Sequence, residues 1–168
     1  MNVAGLNYES VNDGEGVRTV IYVSGCSHNC YKCHNPQAQN KNYGVPFTKT
    51  LQNEIINNIM KRPFLSGITW SGGDPLNKNC LNDVLEFTNK IRILLPNKSI
   101  WLYSGYIWEE CLENNARYDI IKQCDIFVDG RYIDNLRDIT LKWRGSSNQR
   151  VIDIQKTISE NKIILHTN

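Results

Sequence analysis

Cys26, Cys30 and Cys33 stand in one loop, Ser24-Gly25-Cys26-Ser27-His28-Asn29-Cys30-Tyr31-Lys32-Cys33-His34-Asn35, at the spacing C-x3-C-x2-C. The apolar run Val20-Ile21-Tyr22-Val23 just before it reads as a buried strand. Three thiolates on a strand-exit loop can hold three corners of a cubane iron–sulfur cluster, whereas an ordinary electron carrier uses four cysteines. The missing fourth thiolate leaves one iron open to an outside ligand. The other reading of the same residues is a zinc knuckle with His28 or His34 as fourth ligand. Zinc ribbons need neither a Gly-Gly-Asp loop nor alternating strands and helices, and both follow here, which weighs toward the cluster.

The pattern extends well past the loop. Val11-Asn12-Asp13-Gly14-Glu15-Gly16-Val17-Arg18-Thr19 precedes the first strand, Ser71-Gly72-Gly73-Asp74-Pro75-Leu76 follows a second, and Trp101-Leu102-Tyr103-Ser104-Gly105-Tyr106 spans the end of a third. Val128-Asp129-Gly130 and Trp143-Arg144-Gly145-Ser146-Ser147-Asn148-Gln149-Arg150 come later. In this order the segments resemble the radical S-adenosylmethionine superfamily, and within it the activating proteins of anaerobic ribonucleoside-triphosphate reductase. The resemblance runs from about Met1 to Arg150, with Glu15 standing where that family usually has proline.

This resemblance implies one [4Fe-4S] cluster on Cys26, Cys30 and Cys33, with the open iron chelated by the methionine moiety of S-adenosyl-L-methionine. It implies reductive cleavage to a 5′-deoxyadenosyl radical, which abstracts a glycine Cα hydrogen from the reductase large subunit. A reduced electron-donor protein such as a flavodoxin would supply the electron. Because the cofactors carry this chemistry, no catalytic side chain is expected. The alternatives are an activase for another glycyl-radical enzyme, which usually resembles a longer chain with Gly-Gly-Glu, a small-molecule radical enzyme such as a deazapurine-forming synthase, and a non-catalytic zinc-binding interaction module.

The resemblance also places a cofactor site. Gly72 and Gly73 let the backbone approach a ligand, and the Asp74 carboxylate complements the methionine ammonium. Most of the superfamily carries Glu there, one methylene longer. Backbone groups around Lys32, Cys33 and His34 are expected to hold adenine, with Tyr31 as a packing partner; Lys32 stands where an aromatic residue is frequent. Ser104 and Asp129 follow strands three and four, where the family contacts ribose and methionine carboxylate. Their plainer readings are a helix N-cap and a turn. His28 is expected to face solvent, and Arg144–Arg150 has no assigned mechanism.

The chain has 168 residues, enough for one domain, 1–168, with a sizeable core. Its net charge of +2 has mixed signs throughout, which leaves no electrostatic footprint for nucleic acid or an anionic membrane. No apolar stretch approaches the roughly 18 residues of a spanning helix, and the opening residues do not read as a signal peptide. A cytoplasmic protein is expected. Cys80, Cys111 and Cys124 are scattered singly and read as small core residues.

Residues 1–16 read as a polar lead-in to a first strand over Val17–Gly25. Thr48 reads as an N-cap before a helix carrying Leu51, Ile55, Ile59 and Met60 on one face, and Leu81–Leu95 as a second helix ended by Pro96. Strands alternating with helices imply parallel pairing with the site at the carboxyl ends of the strands. A complete eight-fold barrel takes about 250 residues. The expected fold is therefore α/β: an open, partial β/α barrel of four or five parallel strands, with short strands at Val151–Ile154 and Lys162–Leu165 beyond them.

Overall fold

The computed structural model describes residues 1–167. Its centre is a run of four parallel strands: β2 (Arg18–Val23), β4 (Gly67–Gly72), β5 (Ser99–Tyr103) and β6 (Ile126–Asp129). Helices α1 (Lys49–Met60) and α2 (Leu81–Leu94) make the first two crossovers, and α3 (Trp108–Leu112) with α4 (Asn115–Ile121) makes the third. Thr48 caps α1 as its position predicts, its hydroxyl accepting the Leu51 N–H at 3.2 Å.

The edges correct the expected architecture. β1 (Asn2–Ser10) pairs antiparallel with β2, the short β3 (Val45–Pro46) pairs antiparallel with β1, and β7 (Arg150–Asp153) pairs antiparallel with β6. The described residues form one seven-stranded mixed sheet in the order β3-β1-β2-β4-β5-β6-β7. The α/β class holds; the partial barrel does not. A further parallel strand needs a crossover that returns the chain to its starting edge. The connection 130–149 carries only a 3₁₀ turn at Asp134–Leu136, so the chain enters β7 from the end where β6 finished. Residues 2–10, read as a lead-in, are a strand whose alternation is broken by register shifts between Val3 and Gly5 and between Asn7 and Ser10. Lys162–Leu165 contributes only a bridge from Leu165 to Ile152, and α5 (Ile154–Glu160) follows β7 directly.

Strand alternation gives the sheet two unlike faces. Ile21, Val23, Ile68, Trp70, Ile100, Leu102 and Phe127 point to one side, where they share a single core with Ile55, Ile59, Val84, Phe87, Ile91 and Ile120 of the helices. Phe47, Trp70 and Phe87 meet edge to face in this core, with centroids 5.1–6.0 Å apart. Cys80, Cys111 and Cys124 are wholly buried there, as expected of small core residues. The opposite face carries a smaller cluster of Trp101, Ile126, Val128 and Val151, against which Tyr103 and Trp143 pack.

Arg18 lies fully buried on that second face. Its Nε donates to Thr69 Oγ1 at 2.8 Å, Nη1 to Glu15 O and Ser99 Oγ, and Nη2 to Ile68 O and Ser99 O. All five guanidinium donors are thus used on neutral oxygens. Burial pulls its pKa down to about 10.

Candidate functional site

Four parallel strands that stop at one edge deliver four loops to one place. A cavity of about 710 Å³ opens there, lined by Cys26, His28, Cys30, Cys33 and His34 after β2, by Ser71, Gly72 and Gly73 at the end of β4, by Ser104 and Gly105 after β5, and by Gly130 after β6. Tyr22 and Tyr103 reach it from the strands themselves. Arg131, Tyr132, Trp143, Arg144 and Gln149 supply a further wall from the connection 130–149.

The cysteine loop is held by its own backbone. Gly25 N–H donates to Ala38 O at 2.7 Å, Cys26 N–H to Gln39 O at 3.1 Å, and Cys33 N–H to Cys30 O at 3.1 Å. Asn29 and Lys32 take left-handed conformations, with φ of 53° and 55°, which wind the three cysteines around one wall. All three are free thiols and partly exposed. His28 N–H points at Cys26 Sγ from 3.5 Å. Burial pushes the Cys26 thiol up to about 11, and raises Cys30 as well.

The segment after β6 folds over this loop. His34 packs on Tyr132 with centroids 5.1 Å apart, and Lys32 Nζ donates to Asp134 Oδ2 at 2.9 Å. The Lys32 side chain is 60% exposed and lies outside the cavity lining, whereas Cys33 and His34 are on it. Tyr31 is 75% exposed.

The Gly-Gly-Asp loop is shaped by close approach. Gly72 has φ of 101°, and a Cβ there would sit 2.6 Å from Val23 N; a Cβ at Gly73 would sit 2.7 Å from both Ala38 O and Gly25 O. Asp74 is 1% exposed and does not line the cavity. Its Oδ1 accepts from Leu76 N–H and Ser104 Oγ–H at 2.8 Å each, and its Oδ2 from Gly105 N–H at 3.0 Å and His28 Nε2–H at 2.6 Å. The expectation that His28 faces solvent is corrected: its side chain is only 3% exposed and its ring meets Tyr106 edge to face at 4.5 Å. The carboxylate, buried among donors, draws the ring inward.

Ser104 is on the cavity wall and joined to Asp74, but Asp129 is not. Asp129 is fully buried, accepting Trp108 N–H at 2.8 Å and a two-pronged contact from Arg150, Nε at 3.0 Å and Nη2 at 2.5 Å. Arg150 also grips Glu109, whose pKa it lowers. The Arg144–Gln149 stretch is a folded loop: Gln149 Oε1 accepts the Gly145 and Ser146 N–H groups, and Arg144 donates to Gln149 O.

Comparison with known proteins places this arrangement. A family model described as "4Fe-4S single cluster domain" matches residues 12–152. The anaerobic ribonucleoside-triphosphate reductase-activating protein of Escherichia coli (strain K12) is 40% identical over 143 residues, covering 83% of this chain and 90% of the relative. The chain belongs to the family of anaerobic ribonucleoside-triphosphate reductase-activating proteins. Proteins of that name from Haemophilus influenzae, 36% identical with 83% of this chain and 89% of the relative covered, and from Enterobacteria phage T4, 32% identical with 87% and 93% covered, are similar along the same span.

The residues fit the single cluster that the family description names. A cubane held by three thiolates would need them on one wall, and Cys26, Cys30 and Cys33 all line this cavity. The His28 backbone N–H aimed at Cys26 Sγ suits anionic sulfur. Donor atoms of Cys26, His28 and Asp74 do lie within 4.8 Å of one another, close enough for one metal ion. The Asp74 oxygens, however, are already taken by hydrogen-bond donors from the protein. The cavity's volume is within the usual range for a small-molecule site, roughly 300–1,000 Å³. Sequence reasoning missed His28, Tyr22, Tyr103, Tyr132 and Trp143 as wall residues. The tyrosines were readable in part: Tyr22 and Tyr103 have the strand parity opposite to the core residues beside them.

Proposed function

We propose that this chain activates an anaerobic ribonucleoside-triphosphate reductase by generating a glycyl radical on its large subunit. The observation that carries the reading is the meeting of three free thiols with the Gly72–Gly73 and Ser104–Gly105 loops on the walls of one cavity. Cys26, Cys30 and Cys33 would hold a [4Fe-4S] cluster. With S-adenosylmethionine bound, that group supplies an electron for reductive cleavage and so a 5′-deoxyadenosyl radical.

The protein's part is to bind, orient and exclude water. Gly72, Gly73, Asp74 and Ser104 form the end that receives the methionine ammonium, and Cys33, His34 and the Lys32 backbone the end that receives adenine. Asp129 acts at a distance, holding Arg150 and the start of α3 in place. Tyr22, Tyr103 and Trp143 line the remaining space with aromatic surface that displaces water. The electron comes from a reduced protein donor such as a flavodoxin, and the acceptor glycine belongs to the reductase.

The test is anaerobic mixing of iron-loaded protein with the reductase large subunit, S-adenosylmethionine and a reductant, followed by electron paramagnetic resonance. The expected result is a glycyl signal with a resolved α-hydrogen doublet, lost when the acceptor glycine is alanine. Zinc instead of iron and sulfide in anaerobically purified protein, or no radical on the reductase, would overturn the reading.

A further inference from the structure

The stretch from Cys30 to Cys33 is a wall with two sides. Both cysteines line the cavity, whereas Tyr31 and Lys32 between them are absent from its lining, with Tyr31 75% exposed and the Lys32 side chain 60% exposed. The connection after β6 is fastened to the outer side. Lys32 Nζ donates to Asp134 Oδ2 at 2.9 Å, Tyr132 Oη–H donates to Asp134 Oδ1 at 3.0 Å, and Arg137 N–H closes the 3₁₀ turn on Asp134 O at 3.1 Å. Hydrogen bonds from Lys32 and Tyr132 hold the Asp134 carboxyl below the usual carboxylate range, and the Arg137 charge adds to this. Ile133 and Leu136, at this turn, are both exposed.

The charge of this surface is one-sided. Connection 130–149 carries four cations, Arg131, Arg137, Lys142 and Arg144, against two carboxylates, Asp134 and Asp138, so the rest of the chain sums to neutral. Asp138 is turned to the N–H and hydroxyl of Thr140, which leaves Asp134 between Lys32 and Arg137. A few exposed apolar side chains rimmed by cations suit a small, transient interface with an acidic partner. Electron-transfer encounters use surfaces of that kind, burying less than about 1,200 Å².

We propose that Tyr31, Lys32, Ile133, Leu136 and Arg137, with Arg131 at the inner margin, form the docking surface for the reductant, an acidic one-electron carrier protein. The inference rests on the cluster reading above. Electron transfer weakens steeply with distance, and this surface is the outer side of a wall whose inner side carries Cys30 and Cys33. The carrier loses one electron and the cluster gains it; no bond or proton of the protein changes. The reductase is the poorer fit, because its glycine must reach inside the cavity, which Tyr31, Lys32, Ile133, Leu136 and Arg137 do not border. Carrier and reductase therefore use opposite sides of the cysteine loop and can be bound together.

The probe is flavodoxin. The readouts are the stopped-flow rate at which reduced flavodoxin bleaches the cluster of anaerobic, iron-loaded protein, and the Kd of oxidised flavodoxin. Arg137→Glu and Leu136→Glu should each slow reduction about tenfold at low salt and weaken binding, with the difference fading by about 0.5 M salt. Lys61→Glu, an equal change of net charge at the end of α1, should stay within about twofold of the unsubstituted protein. Reduced methyl viologen, a small cation that needs no docking surface, should reduce every variant at the unsubstituted rate or faster. Flavodoxin rates in Arg137→Glu and Leu136→Glu no lower than in Lys61→Glu would overturn the proposal, as would an equal loss with methyl viologen. So would weakened binding of the reductase large subunit with flavodoxin reduction intact, or an iron-replete protein that methyl viologen reduces and flavodoxin does not. Protein that takes up no iron–sulfur cluster would instead sink the cluster reading itself.

Discussion

Six cysteines of one chemical type divide cleanly by environment. Cys26, Cys30 and Cys33 share a cavity wall, while Cys80, Cys111 and Cys124 are sealed in the main core. Burial raises each of the second set to about 12, so they remain inert thiols. Replacing any one of the first three by alanine should abolish the cluster, because two thiolates do not retain a cubane that needs three. Alanine at position 80, 111 or 124 should leave it intact. Iron and sulfide analysis after anaerobic reconstitution checks both halves, and about four irons on Cys30→Ala would refute the ligand assignment. The cysteine spacing made this division legible in the sequence. His28 was not legible, because its burial depends on Asp74 and Gly105, which lie far along the chain and meet it only when β4 and β5 end beside β2.

At the scale of elements, Arg18 is the pin of the site's scaffold. It ties the turn at Glu15 to β4 through Thr69 and Ile68 and to β5 through Ser99. Lysine keeps the charge but offers three donors where five are used. Arg18→Lys should therefore lose at least two charge-assisted hydrogen bonds, about 3 kcal/mol. For a domain of this size that lowers Tm by roughly 6–12 °C. A thermal melt showing almost no shift would mean the oxygens find other donors. The central strands and the helices between them were readable because their apolar periods are unbroken, as in Ile21–Val23 and Ile55–Ile59. The edges were not. Bulges interrupt the alternation of β1, and β7 is four residues long after a loop without a helix, so its direction is fixed only by where β6 leaves the chain. Both facts are tertiary, and they turn the expected partial barrel into a mixed open sheet.

For the whole molecule, the sheet's helix layer covers one face, while the other carries a smaller cluster and the cavity. A carbon-centred radical needs a closed, water-free surrounding. On the function proposed here, the reductase's glycine loop completes it. The isolated protein should cleave S-adenosylmethionine slowly, and adding the reductase should accelerate cleavage and couple it to radical formation. Chromatographic measurement of 5′-deoxyadenosine against glycyl spins counts that coupling, and fast turnover of a small molecule by the isolated chain would refute it.

A one-sided helix layer has a kinetic corollary. If the substrate is also the lid, turnover has the concentration dependence of a protein encounter, and it saturates at the dissociation constant of the complex. The effective inhibitor is then a decoy: a reductase subunit whose acceptor glycine is alanine should seat itself, shut the cavity and hold the activator idle. Free glycine and short glycine peptides, which bring the reacting atom without the wall, should neither serve nor compete.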